Sequence, residues 1–166
     1  MKKIFSCLMV LAIVAGGFIG CGNKNESAFK EVDGVSVYVD TKSSPFEGGG
    51  VKIEIKKGEE GYAKFIKTDA EGKDTVEYYN FDYSKNLMEK YKYVSAMGVG
   101  FYYYYDLEKG ELSKVEDNDH KDNTASMKES GRWDDAAAST KEEVTMIENY
   151  FSEKHESTIK EFLSEK

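Results

Sequence analysis

The feature that most constrains the fold of this chain is a series of short predicted turns between segments of alternating polarity. Three of these turns begin with an aspartate, which can accept hydrogen bonds from the backbone ahead of it. They end with a glycine or an asparagine, the residues that tolerate positive φ. The turns occupy residues 69–72, 82–86 and 106–110. Since a parallel neighbour needs a crossover of about a dozen residues or more, these connections predict antiparallel strands.

Period-two alternation of side chains locates the strands themselves. The clearest case is Val51, Ile53 and Ile55, which alternate with charged residues. The predicted strands cover residues 35–39, 51–55, 62–68, 75–81, 87–95, 99–105 and 111–116. We therefore predict an antiparallel β-meander of about six or seven strands, and a small curved barrel is the architectural alternative.

The carboxy-terminal part of the chain predicts a loop and then a helix. Residues 117–138 have no sustained period and are predicted to form a long polar loop. Thr140 and Glu143 have the spacing of a capping box at the start of a helix over residues 140–165. Its apolar stripe consists of Val144, Ile147, Phe151, His155, Ile159, Phe162 and Leu163. Because such a stripe must be buried, we predict an α+β fold with this long amphipathic helix packed on one sheet face.

Residues 1–20 have the features of an export signal peptide. Lys2 and Lys3 precede an apolar run over residues 4–14, and small residues follow before Cys21. The end of this segment resembles the lipobox of bacterial lipoproteins, with phenylalanine where that family usually has leucine. The residues that carry the resemblance are Phe18, Ile19, Gly20 and Cys21.

The resemblance implies that Cys21 is the lipid attachment site. In that family the signal is cleaved before the cysteine, which carries a diacylglyceryl group and often an amide-linked acyl chain such as palmitate. Two or three acyl chains hold a protein durably at a membrane. The implied location is the outer leaflet of the cytoplasmic membrane or the outer membrane. Residues 21–34 would be the lipidated cysteine and a flexible tether, and residues 35–166 a single domain. The alternatives are an ordinary cleaved signal that leaves Cys21 free, or an uncleaved transmembrane helix.

Cleavage would also change the chemistry open to the chain. Cys7 lies in the removed segment, so an acylated Cys21 would leave no thiol for catalysis, a disulfide or a metal site. The formal net charge would go from −8 to −10, because Lys2 and Lys3 are lost with no acid. The only arginine is Arg132, so nucleic-acid binding is not expected.

No motif nominates a catalytic or metal site. The chain lacks a nucleophile elbow, a P-loop, a dinucleotide fingerprint and a zinc-binding H-E-x-x-H. The acidic stretch over residues 116–123 fails the calcium-loop pattern, because Lys121 and Asp122 occupy its fifth and sixth positions. His155 falls on the apolar stripe of the helix, where we expect a partly buried imidazole with its hydrogen bonds satisfied. The sequence thus predicts no catalytic residue, metal or cofactor, and no enzyme.

The most unusual composition is a run of one phenylalanine and four tyrosines over residues 101–105. On a strand, Tyr102 and Tyr104 point away from the face occupied by Tyr103. Tyrosines in neighbouring strands permit cross-strand aromatic pairs, each worth about 0.2–1 kcal/mol. One interpretation is that these rings cover a wet sheet face. The other is an exposed binding surface formed by Tyr102 and Tyr104, with Trp133 closing one edge.

Three functional hypotheses follow. The first is a non-catalytic, lipid-anchored protein of the cell envelope that binds a protein or polysaccharide partner. The second is an inhibitor or immunity-type protein that acts on a basic enzyme, since the mature charge favours basic partners. The third is a hydrolase that uses carboxylates assembled in three dimensions.

Overall fold

The computed structural model describes residues 29–165, which form an eight-stranded antiparallel sheet followed by three helices. The strands are β1 (Lys30–Val32), β2 (Val35–Asp40), β3 (Gly50–Lys56), β4 (Tyr62–Thr68), β5 (Asp74–Asp82), β6 (Leu87–Val94), β7 (Val99–Asp106) and β8 (Glu111–Asp117). The helices are α1 (Thr124–Glu129), α2 (Trp133–His155) and α3 (Ile159–Ser164). Each strand pairs with the next one along the chain. The antiparallel sheet and the carboxy-terminal helix of an α+β fold are therefore confirmed.

The predicted number of strands and the barrel alternative are wrong. The additional strand is β1, which pairs with β2. It lies within residues 21–34, the segment that the sequence analysis interprets as a flexible tether. Its three residues are all exposed, so the sequence contains no alternation that could reveal it. Among the described strands, β1 and β8 have one neighbour each, so the sheet is open.

The three aspartate-led turns form as predicted. Asp69 accepts hydrogen bonds from the backbone N–H groups of Glu71 at 3.0 Å and Lys73 at 2.9 Å. The turns at 82–86 and 106–110 use their first aspartate in the same way. The residues that end the turns, Gly72, Asn86 and Gly110, all have positive φ. Local side-chain chemistry thus sets the direction of each return strand.

The predicted loop over 117–138 and helix over 140–165 need correction. Helix α1 and the first turns of α2 occupy most of the loop, and α2 begins at Trp133. The alanines at 136–138 favour a helix without adding an apolar period. Helix α2 ends where Glu156 adopts a left-handed conformation, with φ 54°. The capping box lies at Thr158 and Glu161, where it starts α3.

The buried core lies on one face of the sheet, which we call the inner face. It is formed by alternate residues of β3 to β7, together with residues of α2 and α3. The ring centroids of Phe65 and Phe151 are 5.9 Å apart in an edge-on arrangement. The main members are Ile53, Ile55, Phe65, Phe81, Met88 and Tyr105 from the sheet, and Val144, Ile147, Phe151 and Ile159 from the helices. Burial of this apolar surface is the main stabilising contribution to the fold.

Asp40, at the end of β2, connects the sheet to α2. Its buried carboxylate accepts hydrogen bonds from the backbone N–H of Lys42 at 2.8 Å and of Ser43 at 2.9 Å. The Ser43 hydroxyl, at 2.8 Å, and the Tyr150 hydroxyl, at 3.0 Å, donate two more hydrogen bonds. Burial alone would raise the pKa of Asp40, but these hydrogen bonds outweigh it and hold the pKa well below its ordinary value.

A second polar connection lies inside the core, between β6 and α2. The Lys90 side chain is only 3 % exposed, and its ammonium group pairs with the Glu143 carboxylate. Its Nζ lies 5.6 Å from the ring centroid of Tyr79 and 5.2 Å from that of Tyr103. Burial lowers the pKa of Lys90, and Glu143 opposes that shift. Lys90 is therefore a buried positive charge that is compensated by one carboxylate.

We predict that Glu143→Gln lowers the free energy of unfolding by about 3 kcal/mol, because it leaves the buried ammonium of Lys90 without a counter-charge. The double variant Lys90→Met/Glu143→Gln should recover most of that loss. Urea unfolding at pH 7 measures both values. The control is Glu165→Gln, which removes the exposed pair with Lys57 and should change stability by less than about 0.5 kcal/mol. Equal losses in the single and double buried variants would contradict this account of the pair.

Candidate functional site

A row of aromatic rings crosses the outer face of the sheet, opposite the core. Tyr78 on β5 pairs directly with Tyr91 on β6, which pairs with Tyr102 on β7. The ring of His120, just beyond β8, stacks on that of Tyr102, with centroids 4.7 Å apart. We call Tyr78, Tyr91, Tyr102 and His120 the tyrosine row. The cross-strand aromatic pairs expected from the sequence are therefore present.

The rings of the tyrosine row cover one another. The centroids of Tyr78 and Tyr91 are 5.9 Å apart at an interplanar angle of 20°, and those of Tyr91 and Tyr102 are 4.9 Å apart at 51°. Tyr91 and Tyr102 therefore each have a ring neighbour on both sides. The Nζ of Lys64 lies 4.1 Å from the centroid of Tyr78 at the end of the row. The row is thus continuous from Lys64 to His120, and its three tyrosines are half-buried.

Hydrogen bonds hold the phenols of the outer face in place. The Tyr78 hydroxyl donates to Glu89 at 2.8 Å, and the Tyr91 hydroxyl donates to Asn118 at 3.0 Å. The Tyr104 hydroxyl, beside the row, donates to Glu116 at 2.8 Å. Burial and the neighbouring Glu89 raise the pKa of Tyr78. The phenol therefore stays protonated and remains a donor across the physiological range.

The structure brings together two of the three predicted surface residues. Tyr102 and Tyr104 share the outer face, and both are half-buried rather than fully buried. Trp133 begins α2 and follows Arg132, which lines a cavity together with Phe101 and Tyr103 of the inner face. The Nζ of Lys128 lies 4.5 Å from the Trp133 ring centroid. The described ring contacts of Tyr102 and Tyr104 do not include Trp133, whose ring is in contact with Lys128 beside this cavity, so its closing an edge of the tyrosine surface stays a prediction.

Gly100 leaves room for the centre of the row. A Cβ at this position would lie 2.2 Å from the Tyr91 hydroxyl oxygen and 2.5 Å from Oδ1 of Asn118. The Tyr91 side chain thus extends over the backbone of β7, and only glycine permits this approach. Such a contact lies between neighbouring strands, so residue patterns along one strand do not reveal it.

The carboxylates of the acidic stretch over residues 116–123 accept hydrogen bonds from other groups of the chain. Asp117 accepts hydrogen bonds from the backbone N–H groups of Asp119 and Lys121, both at 3.0 Å. Asp122 accepts one from Thr124 at 2.8 Å. Nδ1 of His120 lies 3.2 Å from the Glu116 carboxylate. Within residues 29–165, no three histidine, cysteine, aspartate or glutamate side chains are placed so that they could hold a metal ion together. Stacking of His120 on Tyr102 is the site contact that the sequence analysis missed.

The environment of the His155 side chain differs from the one expected from the sequence. Its ring lies among Phe29, Tyr38, Phe151 and Phe162, at centroid distances between 4.6 and 6.3 Å. Both ring nitrogens are buried and have no hydrogen-bond partner among the described residues. The expectation of a satisfied imidazole is therefore wrong, since the surrounding side chains offer aromatic rings rather than acceptors. Burial, with a smaller contribution from the charge of Lys154, lowers the pKa of His155.

No protein-family model, curated protein or solved structure matches this chain. The lipid attachment predicted at Cys21 and the signal peptide over residues 1–20 lie outside the described residues. Within the described part of the chain, no helix is long and apolar enough to cross a bilayer.

We predict that the protein loses stability as the pH falls from 7.5 to 5.5. The unfolded chain binds a proton at His155 more readily than the folded chain, so the loss begins near the ordinary histidine pKa of about 6.5. Urea unfolding at the two pH values measures the difference, which His155→Phe should reduce. An unchanged pH dependence in His155→Phe would refute the assignment.

We also predict that Gly100→Ala displaces the Tyr91 ring with little loss of global stability. The added methyl group meets the far end of a tyrosine side chain rather than backbone, so the ring can move aside. Ring proton shifts of Tyr78, Tyr91 and Tyr102 measured by NMR should all change. Gly110→Ala, in a turn with positive φ, is the comparison and should leave those shifts unaltered. Unchanged ring shifts in Gly100→Ala would contradict the packing described.

Proposed function

We propose that this protein is an exported, lipid-anchored, non-catalytic envelope protein that binds a protein partner through the tyrosine row and adjacent Tyr104. The observation that carries the proposal is the ordered set of half-exposed tyrosines on the sheet face opposite the core. In this proposal α2 and α3 lie across the inner face, so the outer face remains available to the partner.

The chemistry of the outer face favours a protein partner over a polysaccharide. Sugars are recognised by stacking on free ring faces, but each of the two central rings already contacts two other rings. Aromatic rings, phenol hydroxyls and carboxylates suit the mixed polar and apolar surface of a protein, where tyrosine is enriched. Preformed hydrogen bonds also reduce the entropy cost of ordering these side chains on binding.

The anchor in this proposal is the acylated sulfur of Cys21. Seven residues separate Cys21 from Phe29, where the described chain begins. At about 3.5 Å per residue, the start of the domain would lie within roughly 28 Å of the lipid. Phe29 packs against Tyr38 and Phe162, with ring centroids 5.4 Å apart in both cases. Tension on the tether would therefore be transmitted to the α3 end of the domain.

We predict that Cys21→Ser moves the protein from the membrane pellet to the soluble fraction after fractionation of the producing cells. The reason is that the acyl chains provide the membrane affinity. Cys7→Ser is the matched control, because Cys7 belongs to the segment that would be removed, and it should leave the protein in the pellet. Mass spectrometry of the parent should show the acyl groups on Cys21. A Cys21→Ser protein that stays in the pellet would rule out the anchor.

Photo-crosslinking in the producing cells tests the binding face. A benzoylphenylalanine placed at Tyr93, which is 46 % exposed at the end of β6, should give one discrete protein adduct. The same group at Met146, an exposed position on α2, should not give that adduct. Adding Tyr91→Ala and Tyr102→Ala should abolish it, with folding checked by circular dichroism.

The same variants separate the alternatives. Sedimentation with purified insoluble cell-wall polysaccharide that depends on Tyr91 and Tyr102 would replace the protein partner with a glycan. An adduct from Tyr93 that persists in the double alanine variant would overturn the proposed face. If the adduct is a basic protein and disappears at high salt, the inhibitor hypothesis becomes the better description, because exposed charge pairs are screened by salt.

A further inference from the structure

A pair of adjoining cavities lies on the helix side of the sheet, away from the tyrosine row. The first, of about 310 Å³, lies between β7 and α1 and is lined largely by apolar side chains. The second, of about 280 Å³, lies beside the first turns of α2. Val94 and Tyr103 line both cavities, so the two share a wall. We call them together the corner pocket.

The apolar side chains that line the corner pocket are partly exposed to solvent. Two methionines, Met97 and Met127, line the first cavity together with Val94 and Phe101. Met97 is 56 % exposed, although it is one of the larger apolar side chains of the described residues. Methionine side chains are flexible and polarisable, so they adapt to ligands of different shape. A mostly apolar hollow of this volume accommodates one ring or a short alkyl chain.

The charge of the pocket is opposite to that of the protein. The chain has 31 acidic and 23 basic residues, yet the corner pocket is lined by Lys90, Lys92 and Arg132 and by no aspartate or glutamate. Glu143 neutralises Lys90. Neither Lys92 nor Arg132 forms an ion pair with a described residue. Nε of Arg132 donates only to the Ser130 hydroxyl, at 2.9 Å. Two cations are therefore available at an apolar hollow.

We propose that the corner pocket binds a small organic carboxylate with an apolar body. The carboxylate would pair with the guanidinium of Arg132, which can donate two parallel hydrogen bonds to it. The apolar body would lie against Met97, Met127 and Phe101. Tyr103 forms the wall between the two cavities and has a phenol that can donate to the ligand. This site is independent of the tyrosine row and of the lipid anchor.

The overall negative charge of the protein makes the proposal sharply testable. Nonspecific attraction to this surface favours a cation, whereas the corner pocket favours an anion. Three probes of nearly equal size separate these effects: phenylacetate, 2-phenylethanol and phenethylamine. The full chain, held in phosphatidylcholine nanodiscs, would be titrated with each probe while the methionine methyl resonances are followed by NMR. Met88 in the core and Met146 on α2 serve as internal controls.

Phenylacetate should shift the Met97 and Met127 methyl resonances in a saturable way. The neutral alcohol should bind about five- to tenfold more weakly, and the amine should give no saturable shift at these methyls. Arg132→Gln should weaken phenylacetate binding by a similar factor and abolish the preference for the acid over the alcohol. Lys128→Gln is the matched control, because Lys128 is a neighbouring cation outside the cavity lining.

Three results would overturn the site. They are equal affinity for acid and alcohol, equal shifts at Met146, and unchanged phenylacetate binding in Arg132→Gln. If Arg132→Gln does not fold, as judged by Met88, the comparison of the three probes on the wild-type chain decides by itself.

Discussion

Burial of one face of an antiparallel meander is the constraint on which the rest of this structure depends. Each short turn returns the chain beside the strand it has just left, so neighbours in sequence become neighbours in the sheet. Ile53 pairs with Phe65, Phe65 pairs with Tyr79, and all three side chains are buried. Because side chains alternate along a strand, the register that buries these residues also turns Tyr78, Tyr91 and Tyr102 to the opposite face.

Two buried polar contacts connect α2 to the sheet. The Tyr150 hydroxyl reaches Asp40 at the end of β2, and Glu143 reaches Lys90 on β6. An apolar stripe alone would allow the helix to shift along the sheet, since hydrophobic contacts have little directionality. Separating a buried charge or hydrogen-bonding group from its partner destabilises the fold more than shifting an apolar contact does. The corner pocket then lies where the first turns of α2 extend past these contacts.

The features that are predictable from the sequence depend on interactions between residues close along the chain. The turns were predictable because Asp69 bonds to the backbone two and four residues ahead, and Gly72 supplies the positive φ. Strand β1 was missed because its pairing with β2 leaves no pattern in three exposed residues. The start of α2 was missed because its first turns hold no apolar stripe. His155 lies on the predicted stripe, but its lack of hydrogen bonds depends also on Phe29 and Tyr38, whose rings come from the other end of the described chain.

By itself, the sequence determined the order of strands, the antiparallel sense of the sheet, the identity of its turns and the presence of a carboxy-terminal helix. These depend on contacts between residues close along the chain, where spacing and side-chain chemistry are sufficient. The tertiary structure alone decided that His120 stacks on Tyr102 and that Arg132 meets an apolar cavity. Such contacts join elements far apart in sequence, so they depend on how the helices and strands pack rather than on any local pattern.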